Sequence, residues 1–211
     1  MSELLLTLGR RFARVSTNVL VRRPGLWRLF RGPIRRQFNW LAPRWATMRA
    51  PDAFEPLTAT LDRVDSPPRH VLDLGTGTGT GAFLIARRFP EAEVIGADLA
   101  EAMIEEARRE TPPELADRVR FDVADAAALP YSDGAFDLVA LANMIPFFDE
   151  LERVVAPGGT VLFTFSLGAE TPIYVPPKRL RDELGRRGFA QFAEIAAGSG
   201  AALLARKPER E

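Results

Sequence analysis

The sequence predicts an α/β fold: a doubly wound, mostly parallel sheet of seven strands with an antiparallel last strand, preceded by a helical arm. Three observations carry this. A strand-like run at residues 71–74 ends in a turn with glycine at every second position from Gly75 to Gly81, and an apolar helix follows over 82–89. Short apolar runs then alternate with helical stretches as far as residue 185. Lastly, the strand-like runs 189–195 and 201–205 are joined through Gly198-Ser199-Gly200, a connection too short for a parallel crossover.

In chain order, Leu5, Leu8, Phe12, Val15 and Val19 recur at spacings of three and four, the stripe of an amphipathic helix, with Arg10, Arg11 and Arg14 off it. Pro24 breaks that helix. A second apolar piece holds Leu26, Trp27, Leu29, Phe30 and Ile34, reads as interrupted at Gly32-Pro33, and continues through Phe38, Trp40 and Leu41. We therefore place an arm at 1–67 and a ligand-binding domain at 68–211. Within the latter, strands follow at 71–74, 93–99 (carrying Asp98), 119–123 (before Ala124-Asp125-Ala126), 136–141 and 160–166. Pro157-Gly158-Gly159 reads as the turn before the fifth strand, and 176–185 as a helix with Leu180 and Leu184 on one face.

The glycine turn lets a ligand touch backbone, because glycine accepts positive φ and leaves no Cβ in the way. The next helix also offers unpaired N–H groups to a polar ligand. A phosphate-cradling P-loop is excluded, since Gly81 is followed by Ala82-Phe83 and not by Lys-Ser/Thr. Gly77-x-Gly79-x-x-Ala82 satisfies the looser dinucleotide pattern, which alone is weak. An acid about 20 residues after such a loop, here Asp98, is placed to accept from both ribose hydroxyls of a nucleoside.

The string Leu72-Asp73-Leu74-Gly75-Thr76-Gly77-Thr78-Gly79 resembles the first motif of class I S-adenosylmethionine-dependent methyltransferases, a Rossmann-like family. The likeness continues in order through Asp98-Leu99, Met103, Asp125-Ala126, Phe136-Asp137 and Ala156-Pro157-Gly158-Gly159, across about two-thirds of the chain. The resemblance implies S-adenosylmethionine as cofactor. It implies that Gly75, Thr76, Gly77 and Gly79 wrap the methionine end, with Asp73 ordering the loop and the ammonium group. It further implies that Asp98 clamps the ribose beside Leu99, that Met103 lies against adenine, and that Asp125 and the backbone of Ala126 meet the adenine edge, while Asp137 organises backbone. Each residue also has a plainer reading: Asp98 as a helix cap, Asp125 as a turn residue, Met103 as core.

For the reacting end, Asn143, just after the fourth strand, is a candidate both for holding the cofactor and for lying near its methyl, with Tyr131 and Tyr174 from the loops. Ala142-Asn143-Met144-Ile145-Pro146-Phe147 lacks the asparagine-proline-proline-aromatic motif of enzymes methylating exocyclic amines of bases. Met144, Ile145, Phe147 and Phe148 read as a greasy pocket or as helix packing. The single histidine, His70, lies at the far end of the first strand and reads as structural. The implied reaction is methyl transfer to a small, apolar acceptor at carbon or oxygen. The alternatives are an RNA methyltransferase guided by the arm, a non-catalytic scaffold of the same fold, or, more distantly, a nicotinamide-dependent oxidoreductase.

The chain of 211 residues holds no cysteine, which excludes disulfides, cysteine-type zinc sites and a thiol nucleophile, and fits the cytoplasm. No metal site is expected, and no apolar run reaches the roughly 20 residues that span a bilayer. Arg10-Arg11 is followed by a mixed stretch, not an apolar export region. Net charge is zero but unevenly divided. Residues 1–50 hold eleven arginines and all three tryptophans against the single acid Glu3, leaving 17 basic and 27 acidic groups beyond. Three readings of this arm stand side by side: a lid packed on the domain, a peripheral membrane contact through residues 1–50, and an RNA-binding segment, the lesser alternative. Oligomeric state is not legible.

Overall fold

The computed structural model describes residues 3–48, 50 and 52–209, without the side chains of 3–10 and Phe12. Leu5, Leu8, Phe12 and Arg10 of the predicted first helix therefore lie outside the described side chains. Among the described residues the arm comprises α1 (Glu3–Arg22) and α2 (Trp27–Leu41), joined by a 3₁₀ turn that begins at Pro24. The domain follows as α3 (Glu55–Leu61), β1 (His70–Leu74), α4 (Thr80–Arg88), β2 (Glu93–Asp98), α5 (Glu101–Arg109), β3 (Val119–Val123), β4 (Phe136–Ala142), α6 (Phe148–Val154), β5 (Val155–Phe165), α7 (Pro177–Gly185), β6 (Ala190–Ala197) and β7 (Gly200–Arg206).

The seven strands form one sheet in the order β3-β2-β1-β4-β5-β7-β6. The pairs among β3, β2, β1, β4 and β5 are parallel, and β7 runs antiparallel to both its neighbours. This is the predicted doubly wound arrangement with its reversed last strand. Strand order reverses between β1 and β4, so a crevice opens beyond their carboxyl ends, where open α/β sheets bind ligands.

The central strands are buried on both faces, and their side chains alternate between two cores. Leu72, Leu74, Val139, Leu141, Val161 and Phe163 face one side, with Leu151 of α6, Leu180 and Leu184 of α7, and Leu20 and Trp27 of the arm. Val71, Val94, Leu138, Ala140 and Leu162 face the other, against Phe83 and Ile85 of α4, Ile104 of α5, and Leu57 and Leu61 of α3. Helix α3 is therefore part of the domain's own core, although its residues fall within the 1–67 arm drawn from sequence.

Two local expectations are corrected. Gly32-Pro33 does not interrupt the second arm helix: α2 runs through Pro33. The missing N–H frees only the carbonyl of the exposed Leu29, and the cost of an internal proline, about 3 kcal/mol, is offset by packing of Trp27, Ile34 and Phe38. Pro157-Gly158-Gly159 is not a turn before the fifth strand but lies inside β5, where the register with β4 shifts between Phe136 and Leu138.

Candidate functional site

The glycine turn is fixed from below. Gly75, Gly77 and Gly79 take φ of +77°, +55° and +84°, which side chains bearing a Cβ rarely adopt. The amides of Gly75 and Thr76 both donate to Ala97 O, at 2.8 and 3.0 Å, tying the turn to β2. Asp73 is buried and accepts from Thr76 Oγ1 at 2.6 Å, so this acid orders the loop from inside the sheet.

Asp98 closes the loop from the next strand. Its Oδ2 accepts from Gly77 N and its Oδ1 from Ala100 N, each at 2.9 Å, so it joins the glycine turn to the start of α5. A carboxylate offers about four lone-pair sites, and the amides of Gly77, Ala100 and Leu99 all act on it here. Burial pushes the Asp98 carboxyl up from the ordinary range, opposed by the amides of Ala100 and Gly77. Leu99 beside it is half-buried.

Asp125 accepts from Ala127 N at 3.0 Å in a tight turn, the plainer sequence reading, with Ala126 buried beside it. The arm also holds this acid: Trp27 Nε1 donates to Asp125 Oδ1 at 2.7 Å, and the Arg31 guanidinium lies 3.5 Å from Oδ2. A second tryptophan meets the glycine turn. Trp45 Nε1 lies only 3.0 Å from where a Cβ on Gly77 would sit, and the ring stacks edge-on against Phe38. Neither contact was legible in sequence, where the only signal was three tryptophans gathered in one basic segment.

Met103 stands apart from the exposed cleft. It is fully buried with Ala42 and Ala100 and covered by Phe38, Leu41 and Trp45, so in this structure it is a core residue beneath the arm and not an open face for a ligand. Met144 reaches the loop instead, its Sδ 2.8 Å from where a Gly75 Cβ would lie.

The three polar candidates do not form one cluster. Asn143 takes φ +52°, and its side chain is locked to Ser166, accepting from Ser166 N at 3.0 Å and donating to Ser166 Oγ at 3.1 Å. It clasps the ends of β4 and β5. Tyr174 packs edge-on against Phe165, one residue before Ser166. Tyr131 belongs to the other side of the crevice, where its hydroxyl donates to Asp122 Oδ2 of edge strand β3 at 3.1 Å. Burial, with the adjacent Asp122 charge, pushes the Tyr131 hydroxyl far above its ordinary value, which disqualifies it as a base at neutral pH. Tyr131→Phe is accordingly expected to cost about 1 kcal/mol of stability in denaturant titration, the scale of one hydrogen bond, and to leave ligand affinity unchanged.

The apolar run after Asn143 divides. Phe147 and Phe148 are core, with Trp27 edge-on to Phe147 at 5.0 Å, while Met144 and Ile145 are only half-buried. His70 pairs weakly with Asp137, whose Oδ2 accepts the amides of Arg69 and His70 at 2.9 Å, at the opposite end of β1 from the glycine turn. Among the described residues no group of acidic or histidine side chains could hold a metal ion, and no helix is long and apolar enough to cross a membrane.

Residues 71–159 match the family described as "Methyltransferase domain". The demethylmenaquinone methyltransferase of Thermus thermophilus is 44% identical over 106 residues, 47% of this chain and 48% of its own length. The malonyl-[acyl-carrier protein] O-methyltransferase of Halorhodospira halophila is 37% identical over 147 residues, 65% of this chain and 49% of its own. The chain thus spans about half the length of the curated relatives it matches. Among solved structures, an S-adenosylmethionine-dependent methyltransferase from Aquifex aeolicus superposes with a TM-score of 0.63 at 17% identity, covering 78% of this chain and 97% of that one, a likeness of fold. A glycine turn pinned to β2, an acid-ended second strand bonded to that turn, and the match over 71–159 together mark residues 71–159 as a methyltransferase domain, similar in fold to those of S-adenosylmethionine-dependent methyltransferases.

Proposed function

We propose that this protein transfers a methyl group from S-adenosylmethionine to a small, apolar acceptor at carbon or oxygen. The observation that carries this reading is Asp98, an acid that closes β2 and holds the Gly77 amide of the glycine turn. A carboxylate in that position suits the paired hydroxyls of a ribose. The turn at Gly75, Thr76, Gly77 and Gly79 suits the methionine end once the side chains of Trp45 and Met144, which lie over Gly77 and Gly75, give way, with Asp73 and Thr76 keeping the turn in shape. Asp125 and Ala126 stand where the adenine edge would be read, and the Trp27 indole N–H meets the acid in the manner of a heterocyclic donor. The residues present therefore fit the cofactor.

When bound, S-adenosylmethionine supplies an electrophilic methyl carbon on its sulfonium. The chain's own task is then to hold a nucleophile in line and to exclude water, which accounts for much of the barrier reduction in such transfers. The clasp between Asn143 and Ser166 fixes the rim, and the half-buried Met144 and Ile145 give it apolar surface. The two relatives named above are named for a quinone and for a carrier-bound malonyl group. This supports a small acceptor over nucleic acid.

Within residues 1–67, the basic, tryptophan-bearing part before α3 completes the reading as an arm whose inner face acts as a lid, since Trp27 reaches Asp125 and Trp45 reaches Gly77. A lid leaves its outer face available to a membrane, and the cytoplasm or its membrane surface is the expected location. Adding S-adenosylmethionine should shift tryptophan emission to the blue as the half-buried Trp45 loses water; an unchanged spectrum at saturating cofactor contradicts the lid. The activity itself is tested by incubating cell extract with the protein and cofactor carrying a heavy methyl group. A heavy-methyl product in the mass spectrum, with demethylated cofactor released, is expected. Cofactor binding without either product would favour the scaffold.

A further inference from the structure

The arm has a second face that the domain does not use. Helix α2 buries Trp27 and half-buries Phe30, Ile34, Phe38 and Leu41 along one side. At 100° per residue, Leu29, Arg36 and Trp40 project on the opposite side, with Leu29 and Trp40 three turns, about 16 Å, apart. Leu29 is 72% exposed and Trp40 63%, against the few per cent of ordinary core residues. Val15, 61% exposed on α1, repeats the pattern on a face shared with Arg11, Asn18 and Arg22.

The arginines are sorted in the same way. Those toward the domain are engaged: Arg31 lies on Asp125, Arg35 on Glu101, and Arg14 donates to the carbonyls of Ala169 and Thr171. Arg22, Arg23, Arg28 and Arg36 are exposed and, among the described residues, have no acidic partner. A packing helix places solvated charge outward and apolar bulk inward, whereas α2 carries an isolated leucine and tryptophan, and α1 a valine, among the outward charges.

We infer that the outer face of α2, continued by Val15 on α1, docks on an anionic lipid bilayer. Unpaired guanidinium groups meet lipid phosphates, while Leu29 and Trp40 enter the boundary between headgroups and acyl chains. RNA would satisfy the arginines and could stack on Trp40, but it gains nothing from Leu29 or Val15, since bases stack on aromatic faces. The inference goes beyond the proposed methyl transfer and stands without it.

The test is sedimentation of the full chain with phosphatidylglycerol-containing vesicles, with pure phosphatidylcholine vesicles and a single-stranded RNA as the comparison probes. Binding to the anionic vesicles is expected, weakened as salt shortens the screening length from about 10 Å to about 3 Å. Leu29→Ser with Trp40→Ser should lower the partition coefficient roughly tenfold or more. Arg28→Glu with Arg36→Glu should lower it on anionic vesicles alone. Both double variants should keep the helical signal and the cofactor affinity of the parent, so failure here is separable from failure of the methyltransferase reading. Vesicle binding indifferent to these variants, RNA binding in its place, or a dimer dispersed by Leu29→Ser with Trp40→Ser would each overturn the inference.

Discussion

Gly77→Val is expected to abolish cofactor binding while the sheet stays folded. Gly77 takes φ +55°, and a Cβ there would sit 3.0 Å from Trp45 Nε1 before any branching is added. A β-branched residue held at that φ stores about 1–3 kcal/mol of strain, below the 5–15 kcal/mol that typically holds a domain together. The strain is relieved by moving the loop, which breaks the bond from Gly77 N to Asp98 and closes the backbone surface the ligand needs. Circular dichroism beside a titration separates loss of binding from loss of fold. A folded variant that binds normally would show that no ligand approaches Gly77.

Asp98→Ala should weaken S-adenosylmethionine binding by about 1.5–3 kcal/mol, the scale of hydrogen bonds to a charged group, or roughly 10- to 150-fold in Kd. Two effects combine. The truncation removes the acceptor proposed for the ribose, and it leaves the amides of Gly77 and Ala100 without theirs. The pH dependence carries the same signature. Burial raises the Asp98 carboxyl, so protonation begins at a higher pH than for an ordinary aspartate, and affinity should fall as pH drops through that raised value. In the folded chain without ligand the sign is opposite: a raised carboxyl binds its proton more tightly than in the unfolded chain, so its contribution favours the fold at low pH and is lost as pH rises. Calorimetric affinity unchanged in Asp98→Ala would remove the ribose assignment.

Sheet and loop were legible because their signals are local. The alternation of Leu72 and Leu74 with Val71, the glycines with their positive φ, and an acid closing the second strand each follow from a few consecutive residues. The short link between the last two strands fixed the reversal of the last one. What escaped the sequence depends on distant partners. Asp125 could be read as a turn residue but not as the acceptor of Trp27, 98 positions away. Met103 resembles the family's apolar residue against adenine, yet the arm covers it. Pro33 looked like a break because local propensity ignores the packing of Trp27 and Phe30 before it and of Ile34 and Phe38 after it. Helix α3 lies in a stretch that reads as arm, and only its contacts with the sheet assign Leu57 and Leu61 to the core. Asn143 was found by position, but its clasp on Ser166 needed two strand ends brought side by side.

The central claim is that the crevice beyond β1 and β2 holds S-adenosylmethionine, and titration calorimetry of the full chain tests it most directly. Saturable heat at one site per chain is expected for S-adenosylmethionine and its demethylated product, with micromolar affinity, lost in Gly77→Val and absent with a nicotinamide dinucleotide. No heat with either methyl-donor species, or saturation by the dinucleotide instead, would contradict it.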